Sequence, residues 1–512
     1  MEPVSLVNVL LNASPRVLVV GDAILDQFVY GQARRISPEA PVPVVDVARE
    51  QFYPGGAANV MANLAACGAE VLGLAVYGPD ADSEKLKQLL SEQNVNTEHF
   101  VAQSDWSTPR KHRVVADRQH LLRIDYERPC RINTDTFESL AAAAQVLIPV
   151  CDAVVISDYA KGTLSPLLIQ SIVAMARDND RPIIVDPKGR DASRYHNATV
   201  LTPNQSEAEQ LTGLPIHDEE SLVGAAGELR SRTSAEWVVV TRGEQGIAAM
   251  GDALTRIPGR SVRAQDVSGA GDTVVAALAF SLAAGLTVPR AARIANDVAS
   301  RAVERPGIAV VTRDDLLSAA ADAEAPSPVD ATRQVLRRHV DDLRRLGKRI
   351  VFTNGCFDVI HRGHVEYLEK SRALGDALIV GLNTDASVRR LKGPDRPVNC
   401  QTDRARILAG LRCVDFVVLF DEDTPYRLIQ ELRPDVLTKG GDYELKNVVG
   451  SDLVAETHVL NLVPGRSTTS LIESLQEPGR GRKTHQNGRN RNAGRKQQEN
   501  VRSSEVFVCP PR

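Results

Sequence analysis

Val17-Leu-Val-Val-Gly-Asp22 is an unbroken apolar run that ends on a glycine and a carboxylate. Such a run reads as a strand buried on both faces that delivers its last residues to a site at a sheet edge. Comparable runs return at Ala153 to Ser157, Ile183 to Asp186 and Trp237 to Thr241, with Ala/Leu-rich helical stretches between most of them. This alternation predicts an α/β sheet covered by helices on both faces. Between Ser318 and Thr332 the composition shifts to Ala-Asp-Ala-Glu-Ala-Pro-Ser-Pro, where two prolines and small side chains discourage a continuous helix. A domain boundary falls there. After a helix expected over Ala331 to Leu346, strands restart at Arg349-Ile-Val-Phe-Thr353 and Ala377-Leu-Ile-Val-Gly381, opening a second, smaller α/β unit.

The whole chain supports this reading. Its 512 residues exceed one ordinary core and suggest two or three folded units, and 43% hydrophobic with 25% charged residues excludes global disorder. No run approaches the roughly 20 apolar residues of a membrane span. Thr273 to Val288 is the best candidate, but Ser281 and Gly285 interrupt it, and it reads as a buried helix. Met1 to Arg16 lacks the basic start and small-residue cleavage site of an export signal. The seven cysteines, Cys67, Cys130, Cys151, Cys356, Cys400, Cys413 and Cys509, form an odd set without a C-x-x-C pair. That argues against a disulfide framework and a zinc knuckle and fits a reducing cytoplasm. The net charge of −4 is uneven: Gly479 to Arg512 holds nine Lys/Arg against two Glu, so this tail carries +7 and the remainder −11. Residues 478–512 have too little apolar periodicity to fold alone and are expected to form a basic disordered tail.

The first chemical constellation is Asp266-Val-Ser-Gly-Ala-Gly-Asp-Thr273, just before the apolar helix. Gly269, Ala270 and Gly271 would turn the backbone so that successive N–H groups face an anion at a helix start, a geometry suited to a γ-phosphate. Asp272 is the informative residue. A carboxylate beside an anion hole is repelled by phosphate unless it accepts a proton from an attacking hydroxyl. Alone, it also fits an acidic first-turn cap. Asp22 and Asn59 offer directed hydrogen bonds to hydroxyls, Gly55 and Gly56 allow close backbone approach, and Lys188 can balance phosphate charge. Asn204 and Glu207 can hold magnesium directly or through water. Arg34 to Val44 reads either as a lid carrying arginines for a second substrate phosphate or as a proline-containing surface loop.

Taken together, these segments resemble the ribokinase-like carbohydrate kinases. Asp266 to Thr273 is similar to their D-T-G-A-G-D type signature, and Gly55-Gly-Ala-Ala-Asn59 to their sugar-binding Gly-Gly-x-x-Asn. Asp186-Pro-Lys-Gly189 and Thr202-Pro-Asn-Gln-Ser-Glu207, which contains Gln205 and Ser206, resemble loops that approach phosphates and magnesium. Thr241-Arg-Gly-Glu-Gln-Gly246, with Thr241 and Gly243, resembles the nucleotide-side loop. The resemblance implies Mg2+ with ATP and a monovalent cation in the kinase domain. Val303-Glu-Arg-Pro-Gly-Ile308 departs from it by lacking a Gly-Thr pair near the nucleotide.

The second constellation is Thr353-Asn-Gly-Cys-Phe-Asp-Val-Ile-His-Arg-Gly-His364. His361 and His364 are three apart on one helical face, and Gly363 removes a side chain at the helix start. Two imidazoles beside free N–H groups can donate to a triphosphate. Zinc ligation would need a third protein ligand, and a structural histidine pair is the other alternative. This block resembles the H-x-G-H nucleotidyltransferases of the cytidylyltransferase-like branch. The resemblance implies that the histidines stabilise the α-phosphate and that Thr353, Asn354, Gly355, Phe357, Lys392, Lys439, Ser467, Thr468 and Thr469 bind nucleotide. Arg362 occupies the variable position, where a small residue is usual.

The fold expectation is therefore α/β: a ribokinase-like domain over 1–320, a linker and leading helix over 321–346, and a smaller Rossmann-like nucleotidyltransferase domain over 347–477. The order of motifs resembles the bifunctional heptose kinase/adenylyltransferase family of lipopolysaccharide synthesis. That resemblance implies phosphorylation of D-glycero-β-D-manno-heptose 7-phosphate at C1 with ATP. It also implies AMP transfer to heptose 1-phosphate, giving ADP-heptose and pyrophosphate. Heptose phosphates and ATP are the implied partners, within a homodimer and without membrane or specific nucleic acid. Alternatives are another sugar or polyol kinase/cytidylyltransferase and a nucleic-acid-binding regulator that uses the tail.

Overall fold

The chain divides into two units, Met1–Ala325 and Pro326–Arg512. The computed structural model describes residues 4–460 except Arg118, Pro129, Pro306, Asp330, Asp442, Tyr443, Leu445 and Lys446. Ser467, Thr468, Thr469 and the basic tail lie outside the described residues.

The first unit is built on an eight-stranded sheet. Its order is Leu254–Ile257, Ile247–Met250, Trp237–Thr241, Val200–Leu201, Ile183–Asp186, Ala153–Ser157, Arg16–Gly21 and Glu70–Leu74. The last six run parallel, and the first two turn back as an antiparallel hairpin. Val17 to Val20 have no exposed surface, as their continuous apolar character requires. The chain reverses its direction of winding at Arg16–Gly21, so Gly21, Asp22, Ser157 and Asp158 meet at the crevice where α/β sheets bind ligands.

The apolar helix spans Ala270–Ala283, and its residues from Asp272 to Ser281 are buried. Ser281 is tolerated inside because its hydroxyl donates to the Ala277 carbonyl at 2.7 Å. The helix stops before Val288 because Gly285 takes a left-handed φ of 85°, after which a new helix starts at Val288–Ala302.

Arg34 to Val44 is the tip of a hairpin: residues 37–42 are irregular, as the loop reading expects, and 34–36 and 43–44 are the ends of paired strands. Ala23–Ile36 and Pro43–Gly56 pair as long antiparallel strands, leaving only residues 37–42 as the connection. Arg110–Ala116 and Gln119–Tyr126 complete a four-stranded sheet. Its inner end is tied down by Phe28 and Val115, which pack with Ile308.

The second unit is a five-stranded parallel sheet in the order Phe416–Phe420, Ala377–Asn383, Ile350–Gly355, Val436–Gly440 and Glu456–Leu460. Alternate residues of its central strand feed two cores. Ile350 and Phe352 pack with Leu336, Val340 and Ile429, whereas Val351 packs with Tyr367, Leu368 and Leu408. The stretch 321–346 is thereby divided: helix Arg313–Ala323 belongs to the first unit, and helix Arg333–Arg345 is part of the second unit's core. Among the described residues no helix is long and apolar enough to cross a membrane.

Candidate active sites

The start of helix Ala270–Ala283 is set by Gly269, whose φ of 80° favours glycine and whose added Cβ would lie 2.7 Å from Asn59 Nδ2. That close approach brings Asn59 onto Asp272. The Asp272 carboxylate accepts from Asn59 Nδ2 at 2.7 Å through Oδ2 and from the Tyr159 hydroxyl at 2.6 Å through Oδ1. Only 6% of Asp272 is exposed, and burial pushes its pKa up to about 6 against the opposing pull of these two donors. A carboxylate poised near neutrality is suited to taking a proton from a hydroxyl.

Ala270 and Gly271, the residues just before Asp272, line a cavity of about 280 Å³. Thr241 and Gly243 line it from the sheet side, with Val274, Ala299 and Val303 as apolar wall. The sequence motifs at 241–246 and 266–273 thus converge on one nucleotide-sized space. Lys188, Asn204, Gln205, Ser206 and Glu207 do not line it. Asn204 and Glu207 form a reciprocal capping box at helix Gln205–Thr212, and Lys188 Nζ reaches Glu207 Oε1 at 2.7 Å. Gln205 turns to the Ile216 carbonyl, and Ser206 accepts from Gln210. A bridge between Asn204 and Thr241 ties this helix start to the cavity wall.

Among the described residues no group of three His, Cys, Asp or Glu is gathered to ligate a metal. Asp186 is pushed well above the usual carboxylate range, mainly by burial and then by Glu207 and Asp272. Asp186, Glu207 and Asp272 lie within electrostatic reach of one another, a donor set that fits a cation held directly or through water.

The structure adds two contacts around Asp22 and Gly55. Asp22 does not aim its carboxylate at open space: it accepts the backbone N–H groups of Tyr159, Lys161 and Thr163 at 2.9, 2.9 and 3.0 Å. Those bonds make it an organiser of loop 159–163. The carboxylate beside Gly55 is Asp26, which the motif reading missed. It is 6% exposed, pairs with Arg113 at 2.5 Å, and lies so near Gly55 that an added Cβ would sit 2.3 Å from its Oδ2. Gly56 closes the same strand at the start of helix Ala57–Ala66. The Gly-Asp-x-x-x-Asp spacing at the end of the first strand was the available signal. Tyr159 was also missed, since nothing local marks its contact with Asp272.

In the second unit, Asn354, Gly355, Phe357, His364, Lys392 and Lys439 line one cavity of about 500 Å³. It opens where the sheet changes its direction of winding, between Ile350–Gly355 and Val436–Gly440. Lys439 spans that crevice to Asn354 Oδ1 at 3.1 Å, and burial lowers its pKa. His361 and His364 stack with ring centroids 4.0 Å apart. The His361 N–H donates to His364 Nδ1 at 3.4 Å, so neutral His364 carries its proton on Nε2 as a donor. Burial, then His361 and Lys392, push the His364 pKa down to about 4.

Thr353 does not reach the cavity. It is fully buried, and its hydroxyl contacts the Tyr367 hydroxyl at 2.5 Å and the Thr438 carbonyl at 3.2 Å, which fixes the strand ends from beneath. Two organisers were not assigned a role by the motifs, Asp358 within the Thr353 to His364 block and Arg404 outside it. Asp358 holds Arg396 and the N–H groups of Val398 and Asn399, while fully buried Arg404 donates to the carbonyls of Cys356, Asn383 and Asn399 and to Asp385.

The two units match known families in the same order. Residues 14–314 match the pfkB family carbohydrate kinases and 352–468 the cytidylyltransferase-like family. The potassium complex of Escherichia coli phosphofructokinase-2 aligns with a TM-score of 0.51 at 22% identity, covering 60% of this chain and 99% of that one. That likeness supports the fold alone. Curated relatives called "Bifunctional protein HldE" span nearly the whole chain. The Wolinella succinogenes protein is 45% identical over 90% of this chain and 98% of its own, and that of Pelobacter propionicus 45% over 90% and 96%. With a kinase cradle and a nucleotidyl-transfer cradle on one polypeptide, this chain belongs to the bifunctional HldE family of kinase/adenylyltransferases.

Proposed function

We propose that Asp272 is the general base of a sugar 1-kinase and that His361 and His364 assist an adenylyl transfer in the second unit. The enzyme phosphorylates D-glycero-β-D-manno-heptose 7-phosphate at C1 and later joins heptose 1-phosphate to AMP. The observation carrying the first step is the placement of buried, near-neutral Asp272 directly after cavity residues Ala270 and Gly271. The anomeric hydroxyl gives its proton to Asp272 while its oxygen attacks the γ-phosphorus, and the bond to the β-phosphate oxygen breaks to release ADP. Asn59, Gly55 and Gly56 border the sugar. Magnesium bound with ATP would neutralise phosphate charge, held directly or through water by Glu207 and Asn204, with Lys188 nearby.

After a separate phosphatase removes the 7-phosphate, an oxygen of the 1-phosphate attacks the α-phosphorus of the second ATP and pyrophosphate leaves. Phosphate is already anionic at neutral pH, so orientation and charge stabilisation replace a strong base. His364 donates from Nε2, and Lys439 and Lys392 attract the β/γ-phosphates. Ser467, Thr468 and Thr469 complete the nucleotide contacts by resemblance.

In this reading residues 1–320 perform the kinase step and 347–477 the transfer, with 321–346 between them and 478–512 outside the chemistry. The kinase half forms a homodimer in the cytoplasm, where ATP is supplied, and takes a monovalent cation. Exposed Ile36, Val47 and Leu122 on the four-stranded sheet support a partnered surface.

Mass spectrometry of products from heptose 7-phosphate and ATP tests the proposal. Heptose 1,7-bisphosphate should form without phosphatase and ADP-heptose with it. Preferential consumption of CTP in the second step would overturn the adenylyl assignment.

A further inference from the structure

Tyr159 belongs to none of the motifs used above for phosphate or sugar, yet its hydroxyl lies 2.6 Å from the Asp272 carboxylate. Its loop is unusually determined. Asp22 binds three of its backbone N–H groups, and Asp158 Oδ1 accepts a fourth, from Ala160, at 2.7 Å. Ala160 itself has a φ of 55°, a left-handed conformation that is unfavourable for a non-glycine residue. Surrounding contacts must hold such a residue in place. The Lys111 ammonium lies 5.1 Å from the Tyr159 ring centroid, adding a further restraint.

We propose that Tyr159 is a positioning residue for the kinase step: its hydroxyl clamps Oδ1 of Asp272 so that the carboxylate offers a fixed lone pair to the attacking sugar hydroxyl, and Asp22 sets the clamp through the backbone. This rests on Asp272 being the base. The clamp works with Asn59, which holds Oδ2 from helix Ala57–Ala66. The other groups acting on Asp272 are Asp26 on Ala23–Ile36, Lys111 on Arg110–Ala116 and Asp186 on Ile183–Asp186. Asp26 raises its pKa and Lys111 lowers it, while Tyr159 and Asn59 oppose the larger effect of burial. Burial and neighbouring carboxylates hold the Tyr159 hydroxyl well above its ordinary pKa, so it remains a donor throughout the working pH range.

Removing the hydroxyl therefore makes Asp272 protonate at a higher pH. In Tyr159→Phe, assayed as the full chain with heptose 7-phosphate and ATP, the acid limb of kinase kcat/KM should rise by about half a pH unit or more, with KM for ATP changed by less than about twofold. A loss equal at every pH, or an acid limb unchanged from the parent, would overturn the clamp. Asp22→Asn keeps the side-chain shape but weakens its hold on the loop, and should shift the limb in the same direction. It supplies the same decision if Tyr159→Phe fails to fold. If Asp272→Asn retains parental turnover, the general-base reading itself fails. Loss of turnover in Asp272→Asn with an unshifted Tyr159→Phe limb defeats only the clamp.

Discussion

The two active sites are assembled over very different distances along the chain. Asp272 receives hydrogen bonds from residues 213 and 113 positions away, whereas the paired histidines of the second site are three residues apart and already linked by a backbone bond. Their electrostatics differ in the same way. Burial raises the carboxylate toward neutrality and lowers the imidazole well below it, so one site is prepared to accept a proton and the other to donate a hydrogen bond without charge. A short motif can specify a helix start, but a buried carboxylate held by Asn59 and Tyr159 requires several elements to converge.

The sharpest way to break the comparison is to remove each centre in turn. Asp272→Asn should lower kinase turnover by at least about 10²-fold while heptose 7-phosphate binding and pyrophosphate release by the second unit persist. Calorimetric titration and separate product assays check both halves. His364→Ala should reduce adenylyl transfer by about 10²-fold, the scale of a lost transition-state donor, and leave the kinase intact. Equal loss of both activities would contradict independent sites.

A structural contrast comes next. Arg404 is fully buried and joins three carbonyls to Asp385, so Arg404→Ala should destabilise the second unit by about 3 kcal/mol or more. Denaturation should show that transition shifted while the first unit's remains in place.

The pH profiles should separate by less. A base with a pKa of about 6 must be ionised to work, so kinase kcat/KM falls as pH drops, by about fourfold between pH 7.5 and 5.5. His364 stays neutral over that range, and its donor contributes no acid limb to transfer until pH nears 4. Finally, Arg362 is exposed and pairs with Glu366 at 2.5 Å, away from the cavity lining. Arg362→Ala should change transfer by less than about threefold.

Much of this architecture was legible because its signals are local. The runs at 153–157, 183–186 and 237–241 match strands, and the glycines before Asp272 lie at a helix start as expected. Asn354, Lys392 and Lys439 meet in one cavity although their segments are well separated, because parallel strands carry successive loops to the same sheet edge. Local reading found the irregular tip at 37–42 but not the long strands on either side of it, whose pairing depends on residues far from the prolines. Nor did it show that Asp22 and Thr353 hold neighbouring backbone and hydroxyl groups, contacts that join distant segments.

From sequence alone came the pair of α/β units, the phosphate-facing turn before Asp272 and the H-x-G-H helix start, because each follows from spacing within a few residues. Only tertiary structure decided that Tyr159 and Asn59 hold Asp272, that Asp26 stands beside Gly55, and that Arg404 joins the Cys356 and Asn383 carbonyls to Asp385. Those contacts depend on which distant side chains share a buried space, where desolvation gives a single hydrogen bond its influence over charge.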